Sequence, residues 1–252
     1  MARATVLGRL TWQIAVIAAI RRETSNTVSL TLDVPEWPSH VAGQHVDVKL
    51  TSEDGYSTER SYSIASAPSP GRLELTVQRV PDGEVSPYLV DVAQSGDSIQ
   101  LRGPIGGYFV WSPDKTAPVT LIAGGSGVVP LMSMVRARTA MSSHTPFRLI
   151  YSARTPEDAI YADELHDLVR DDHELDISYA YTRTAPDGWR GHVGRIDATR
   201  LAADGWPAEM NPDVYVCGPT SFVETAANYL VDAGHKPDKV RTERFGPSGG
   251  RP

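Results

Sequence analysis

The sequence predicts two domains of different class: a six-stranded antiparallel β-barrel over residues 1–113 and an α/β domain built on a parallel sheet over residues 114–252. Three observations predict this. The first half reads as short apolar alternations cut by Gly and Pro turns, the pattern of a small antiparallel barrel. The second half alternates strand with helix, which gives a parallel sheet covered on both faces. The change of period falls at Ser112–Pro118, a polar stretch with two prolines.

Each element follows in order. Trp12, Ile14, Val16, Ala18 and Ile20 alternate and are expected to form the inward side of the first strand. A signal peptide has a similar outline, with Arg3 and Arg9 ahead of an apolar run. The run is too short to span a bilayer, and Arg21, Arg22 and Glu23 follow it without a cleavage pattern. Val28–Val34 alternates up to Pro35, and Val46, Val48 and Leu50 alternate after Gly43. Arg60–Ala65 is a fourth strand, Leu73–Val77 a fifth and Ile99–Leu101 a sixth, each stopped by Gly or Pro. Ser86–Val92 reads as a short helix. Beyond the boundary, Val119–Ile122 is a strand running into glycines, and Pro130 suits a first helical residue ahead of Leu131, Met132 and Val135. Strands at Phe147–Tyr151, Ile177–Tyr181 and Val214–Cys217 alternate with helices at Asp163–Arg170 and Ser221–Asp232. The tail Gly246–Pro252 is rich in Gly, Pro and Ser, a composition that predicts disorder.

Composition narrows the function. The chain has 252 residues, 40% hydrophobic and 22% charged, enough for a core in each half. A net charge of -7 argues against nucleic acid as a partner, because phosphate binding needs a basic surplus. The single cysteine, Cys217, allows no internal disulfide and no four-cysteine iron–sulfur site, and fits a reducing, cytoplasmic compartment. The seven histidines, His45 and His192 among them, have no metal-ligand spacing and read as packing or surface residues, so no metal is expected.

Four motifs bear chemistry. In Arg60-Ser61-Tyr62-Ser63, strand alternation puts Arg60 and Tyr62 on one face and Ser61 and Ser63 on the other. A guanidinium suits a pyrophosphate and a tyrosine suits a flat ring; an ordinary polar strand has the same look. In Pro81-Asp82-Gly83-Glu84-Val85-Ser86-Pro87, Ser86 suits a helix N-cap whose free N–H groups attract an anion, or the segment is simply a turn. Gly124-Gly125-Ser126-Gly127 is a glycine turn from strand to helix, where a backbone can approach a pyrophosphate. Val216-Cys217-Gly218-Pro219 ends a strand where ligands of open sheets bind; Cys217 is then placed over the crevice, or is a small buried thiol.

Taken together and in this order, R-S-Y-S, P-D-G-x-x-S-P, G-G-S-G-x-x-P and C-G-P resemble the ferredoxin–NADP reductase superfamily from about Trp12 to Phe245. The resemblance implies an FAD-binding barrel and a Rossmann-like NAD(P)-binding domain. It implies that Arg60 neutralises the flavin pyrophosphate, Tyr62 stacks on the isoalloxazine and Ser63 lies near N5, with Ser61 in the same motif. Val77 and Arg79 line the adenosine side; Glu84, Val85 and Ser86 hold the pyrophosphate; Gly125, Ser126 and Gly127 form the nucleotide turn. Cys217, Gly218 and Pro219 lie beside the nicotinamide, Glu243 supplies a carboxylate near the flavin, and Phe245 covers the ring. Ser63, Cys217 and Glu243 are then the residues nearest the chemistry.

Arg154, Thr182, Arg183 and Arg190 resemble the 2′-phosphate site of NADPH-using members, which implies NADPH; Glu157 and Asp158 beside Arg154 keep NADH open. The activity implied is an oxidoreductase taking hydride from NADPH onto FAD and passing single electrons to a separate ferredoxin or flavodoxin, serving an oxygenase. A flavin or ferric reductase and an electron-relay subunit are the alternatives. An acidic ferredoxin needs a basic rim, for which Arg79, Arg102 and Arg244 are the candidates. A monomer away from membranes is expected.

Overall fold

The computed structural model describes residues 10–191 and 193–245; the expectations for Arg3, Arg9, His192 and the tail 246–252 lie outside the described residues. Among the described residues, six strands form the first sheet: β1 Gln13–Thr24, β2 Thr27–Asp33, β3 His45–Thr51, β4 Ser57–Ser63, β5 Arg72–Gln78 and β6 Ser98–Ile105. Their order is β4-β3-β6-β1-β2-β5, with every neighbouring pair antiparallel. The two ends of that order meet. Ile64 bridges to Leu75, and the Ala65 N–H donates to the Glu74 carbonyl at 2.8 Å. This contact closes the sheet into a barrel. Leu30, Leu32, Val46, Val48, Leu73, Leu75 and Leu101 fill it, as their alternation predicts.

The first strand corrects the expectation. Ala15 and Ile17 face the core, while Ile14 and Val16 are 56% and 39% exposed on the outside. Both alternating sets of β1 are apolar, so periodicity cannot choose between them. A bulge between Ile17 and Ala19 then changes register, and of the expected inward set Ile20, beyond the bulge, packs against the core. Trp12 lies flat under two cations, Lys49 at 4.3 Å and Arg102 at 4.7 Å from its ring centroid. The short helix also differs. It begins as α1 Val85–Pro87 and continues as a π-helical turn, Tyr88–Val92, with Glu84 at the N-cap position. Ser86 is inside it, and its hydroxyl accepts the Val80 N–H at 3.0 Å.

The second domain runs β7 Val119–Gly124, α2 Val128–Ala140, β8 Phe147–Ala153, α3 Ala162–Asp171, β9 Leu175–Tyr181, α4 Ala198–Asp204, β10 Asp213–Pro219, α5 Thr220–Asp232 and β11 Val240–Phe245. The sheet order is β11-β10-β7-β8-β9, all parallel. Leu131, Val135 and Leu165, on α2 and α3, cover one face together with Ala65, Phe109 and Trp111. Leu201, Val223 and Leu230, on α4 and α5, cover the other. α2 starts two residues before Pro130, which is tolerated because N–H groups of the first turn have no partner within the helix. α4 and β11 lack a sequence signal: α4 has seven residues, N-capped by Asp197 accepting the Arg200 N–H at 2.8 Å, and β11 is polar along most of its length. Among the described residues, no helix is long and apolar enough to cross a membrane.

Candidate active site

The parallel sheet reverses its winding between β7 and β10, the place where open α/β sheets leave a crevice at their carboxyl ends. The chain keeps that place clear of side chains. A Cβ on Gly127 would lie 2.1 Å from the Cys217 carbonyl oxygen and 2.8 Å from the Gly218 nitrogen, so only glycine permits this approach. Gly125 has φ +56°, the left-handed turn that aims the loop into α2. Gly124 and Gly218 end adjacent strands, and a Cβ on either would come within 2.8 Å of the Phe222 ring. The result is a cleft of about 210 Å³ lined by Gly124, Gly125, Ser126, Arg154, Thr182, Pro219, Phe222 and Phe245, with Gln78 of β5 contributed by the barrel.

Cys217 and Glu243 are register partners on β10 and β11. Cys217 is 1% exposed among core side chains, so it is not laid open over the crevice; β10 turns this side chain toward the apolar cluster beneath α2. Burial, and then the Glu243 carboxylate, push its thiol well above the ordinary value. Burial pushes the Glu243 carboxyl up to about 7, and its Oε2 is buried without a partner among the described residues. A carboxyl poised near neutrality can hold or release a proton at working pH. Phe245, 37% exposed, closes one side of the cleft.

On the barrel, β4 places Tyr62 half-buried against the core and Arg60 exposed. Arg60 Nη1 donates to the Glu59 carbonyl at 2.7 Å, and no carboxylate pairs with it among the described residues. Ser61 is occupied on the opposite face, donating to Asp47 at 2.6 Å. The Ser63 hydroxyl has no hydrogen-bond partner among the described residues, and Ser63 pairs with His45 in the sheet. Val77 is 0% exposed inside the barrel, so its side chain does not line an adenosine site; it continues the inward row of Leu73 and Leu75. Arg79 is held by Asp91 at 2.7 Å. Glu84 accepts from the Tyr56 hydroxyl at 3.2 Å, and these two residues line a second cleft with Thr58, Tyr88 and Gln100. Val85 is buried in the barrel core.

The arginines divide into two groups. Arg79, Arg102 and Arg244, expected as a basic rim, are paired with Asp91, with Asp47 and Glu59, and with Glu224 respectively, so the rim is neutralised within the chain. Arg154, Arg183 and Arg190 have no ion pair among the described residues. Arg154 and Arg183 are brought together because the Arg183 N–H donates to the Arg154 carbonyl at 2.9 Å. Arg190 is exposed in the loop that returns to pair Val193 with Tyr181, outside the cleft lining. Sequence reasoning did not single out Phe222, Gln78 or a lining role for Asp158. Glycines ending two neighbouring strands signal the ring of Phe222, whereas the reach of Gln78 across the domains has no local signal. Among the described residues, no group of three or more His, Cys, Asp or Glu could hold a metal.

A barrel with an unpaired arginine and a half-buried tyrosine on one strand, set against a glycine-turn crevice in a parallel sheet, defines a two-domain flavin- and nucleotide-dependent oxidoreductase. The comparisons agree. Residues 15–110 match the oxidoreductase FAD-binding domain and residues 121–228 the oxidoreductase NAD-binding domain. The chain belongs to the ferredoxin–NADP reductase superfamily. The glycine betaine monooxygenase reductase subunit of Chromohalobacter salexigens is 32% identical over 209 residues, which is 81% of this chain and 55% of that protein. The ferredoxin reductase in carbazole 1,9a-dioxygenase superposes with a TM-score of 0.79 at 26% identity, covering 94% of this chain and 70% of that one. The flavohem-like FAD/NAD binding domain of nitric oxide dioxygenase from Vibrio cholerae O1 biovar El Tor shares the fold, with a TM-score of 0.84 at 24% identity over 93% of this chain and 99% of that one. The chain spans about half the length of the first curated relatives it matches.

FAD fits the residues present: Arg60 offers a guanidinium with no carboxylate partner among the described residues, Tyr62 a ring face, and Glu243 a buried oxygen lacking a partner among them.

Proposed function

We propose that the chain takes hydride from NADPH, with NADH the less favoured donor, and passes single electrons to a separate ferredoxin or flavodoxin that serves an oxygenase. The observation that carries this reading is the crevice itself, where the Gly125–Ser126 turn, Pro219 and Phe245 converge beside Gln78 of the barrel. Bound FAD supplies the exchange between a two-electron donor and a one-electron acceptor. Arg60 neutralises its pyrophosphate, Tyr62 supports its ring and Ser63 offers a hydroxyl close to that ring. Gly125, Ser126 and Gly127 admit the nucleotide pyrophosphate to the start of α2. Gly218 and Pro219 bound the nicotinamide, Cys217 supports it from below, and Glu243 holds a proton at its carboxyl. Phe245 excludes water until nicotinamide displaces it.

Arg154 and Arg183 support the preference for NADPH, since two adjacent cations without carboxylate partners suit a 2′-phosphate. Thr182 joins Arg154 in the cleft lining, and Arg183 and Arg190 approach from the loop beyond it. The naming of a relative as an oxygenase reductase subunit supports the acceptor class. The single buried cysteine supports work in the cytoplasm, and we place the protein there as a monomer. Anaerobic mixing with each nucleotide, following flavin absorbance, tests the reading. Fast bleaching by NADPH and slow bleaching by NADH are expected; bleaching by neither would refute it.

A further inference from the structure

The two domains meet where α2 lies against the residues that follow β4. Arg136, on α2, donates from Nη1 to the Ala65 carbonyl at 2.9 Å and to Glu74 Oε1 at 2.6 Å, both in the barrel. Its Nε and Nη2 hold the two oxygens of Glu164, on α3, at 2.8 and 2.6 Å. One turn earlier, the Ser133 hydroxyl donates to the Ser66 carbonyl at 2.7 Å, and His40 Nε2 lies 3.1 Å from the same oxygen. Behind the guanidinium, 4.9 Å away, is the ring of Tyr161, whose hydroxyl donates to Thr76 of β5.

The placement of these bonds matters more than their number. Ala65 and Ser66 come two and three residues after Ser63, at the end of the strand that carries Arg60 and Tyr62. α2 begins at the glycine turn and runs for 13 residues as one rigid rod. The same helix therefore touches the nucleotide turn at its start and the flavin strand along its flank. The Arg136 side chain is 15% exposed and that of Glu74 19%, so this tie is largely out of water. Removing one partner of such a pair leaves an uncompensated buried charge and frees what the pair held.

Hydride transfer depends steeply on the separation and angle of two rings held by different domains, and a displacement of about 1 Å can cost about a hundredfold in rate. On the strength of the reading above, we infer that Arg136 is a positioning residue, which sets β4 against α2 through the Ala65 carbonyl and Glu74 and so fixes the approach of nicotinamide to flavin. It acts through those groups and not by contact with a reacting atom. Glu74 is its partner in this role, while Glu164 orients the fork from within its own domain.

The test uses the FAD-loaded protein and Arg136→Met, with Arg136→Lys and Glu74→Gln as variants that keep a hydrogen bond. Anaerobic stopped-flow with NADPH gives the limiting bleaching rate and the saturation constant separately. In Arg136→Met the limiting rate is expected to fall about thirtyfold while the saturation constant changes by less than about threefold, and Arg136→Lys recovers part of the loss. A second readout needs no turnover: NADP+ is expected to slow amide hydrogen exchange at residues 60–66 in the unaltered protein and not in Arg136→Met. If Arg136→Met does not fold, the same two measurements on Arg136→Lys and Glu74→Gln decide. Unchanged bleaching and unchanged exchange coupling in a folded variant, with FAD bound, would overturn the inference while leaving the proposed reductase intact. An unaltered protein bleached by neither nucleotide removes the reading, and the inference falls with it.

Discussion

The barrel and the parallel sheet prepare their surfaces by opposite means. On the barrel the informative residues are side chains carried on β4, Arg60 exposed and Tyr62 half-buried against the edge of the core. In the sheet the informative residues are missing side chains: Gly124, Gly127 and Gly218 let two strands, a helix start and the Phe222 ring approach within a few ångströms. A site made of added groups can lose function and keep its fold. A site made of close backbone approach cannot, because its geometry is part of the core.

The sharpest way to break this contrast is Gly127→Ala. Its new methyl would meet backbone atoms of Cys217 and Gly218 that cannot swing aside, so a destabilisation of about 3 kcal/mol is expected, together with loss of nucleotide-driven bleaching. Thermal unfolding checks it; an unchanged midpoint would show that the turn can yield to a methyl group and would remove the contrast. Glu243 gives the next effect. Its folded carboxyl holds a proton up to about pH 7, the unfolded one only to near 4.5. Between those values the folded form binds more protons, so stability is lost as pH rises through that window and stays reduced above pH 7. Glu243→Gln is expected to flatten the dependence of the midpoint on pH between 5 and 8, and to raise stability at pH 8 by about 2 kcal/mol.

On the barrel, Arg60→Ala is expected to weaken FAD binding by ten- to a hundredfold, about 1.5–3 kcal/mol, with the apoprotein unfolding at an unchanged temperature. Titration of apoprotein with FAD measures the first, calorimetry the second. A large fall in apoprotein stability would erase the contrast with the sheet. The smallest effect is expected from Arg154→Ala, which lowers the ratio of NADPH to NADH efficiency about tenfold without altering FAD content. Parallel steady-state assays with the two nucleotides decide it.

The same contrast explains what could be read from the sequence. The barrel core was legible wherever one alternating set was apolar and the other polar, as in Leu73, Leu75 and Val77. It was not legible in β1, where both sets are apolar and small Ala15 and Ile17 take the inside. The glycine turn was legible as a turn, but its purpose depends on Cys217, about ninety residues away, and no local pattern reports that distance. Ser86 looked like a cap because Pro87 follows it, yet its hydroxyl is already committed to Val80. Ion pairing was hidden altogether: nothing in the spacing of Arg79, Arg102 and Arg244 reveals carboxylates on other strands or helices, or separates them from Arg154 and Arg183.

The strand order of the parallel sheet has one more consequence, for the timing of assembly. All six barrel strands are drawn from residues 13–105, so that half can close as soon as its own sequence has left the ribosome. The nucleotide crevice lies between β7 and β10, whose first residues are Val119 and Asp213, so one wall must wait for most of the remaining chain before the other exists. During synthesis the protein therefore passes through a stage with all six barrel strands made and only one wall of the crevice present.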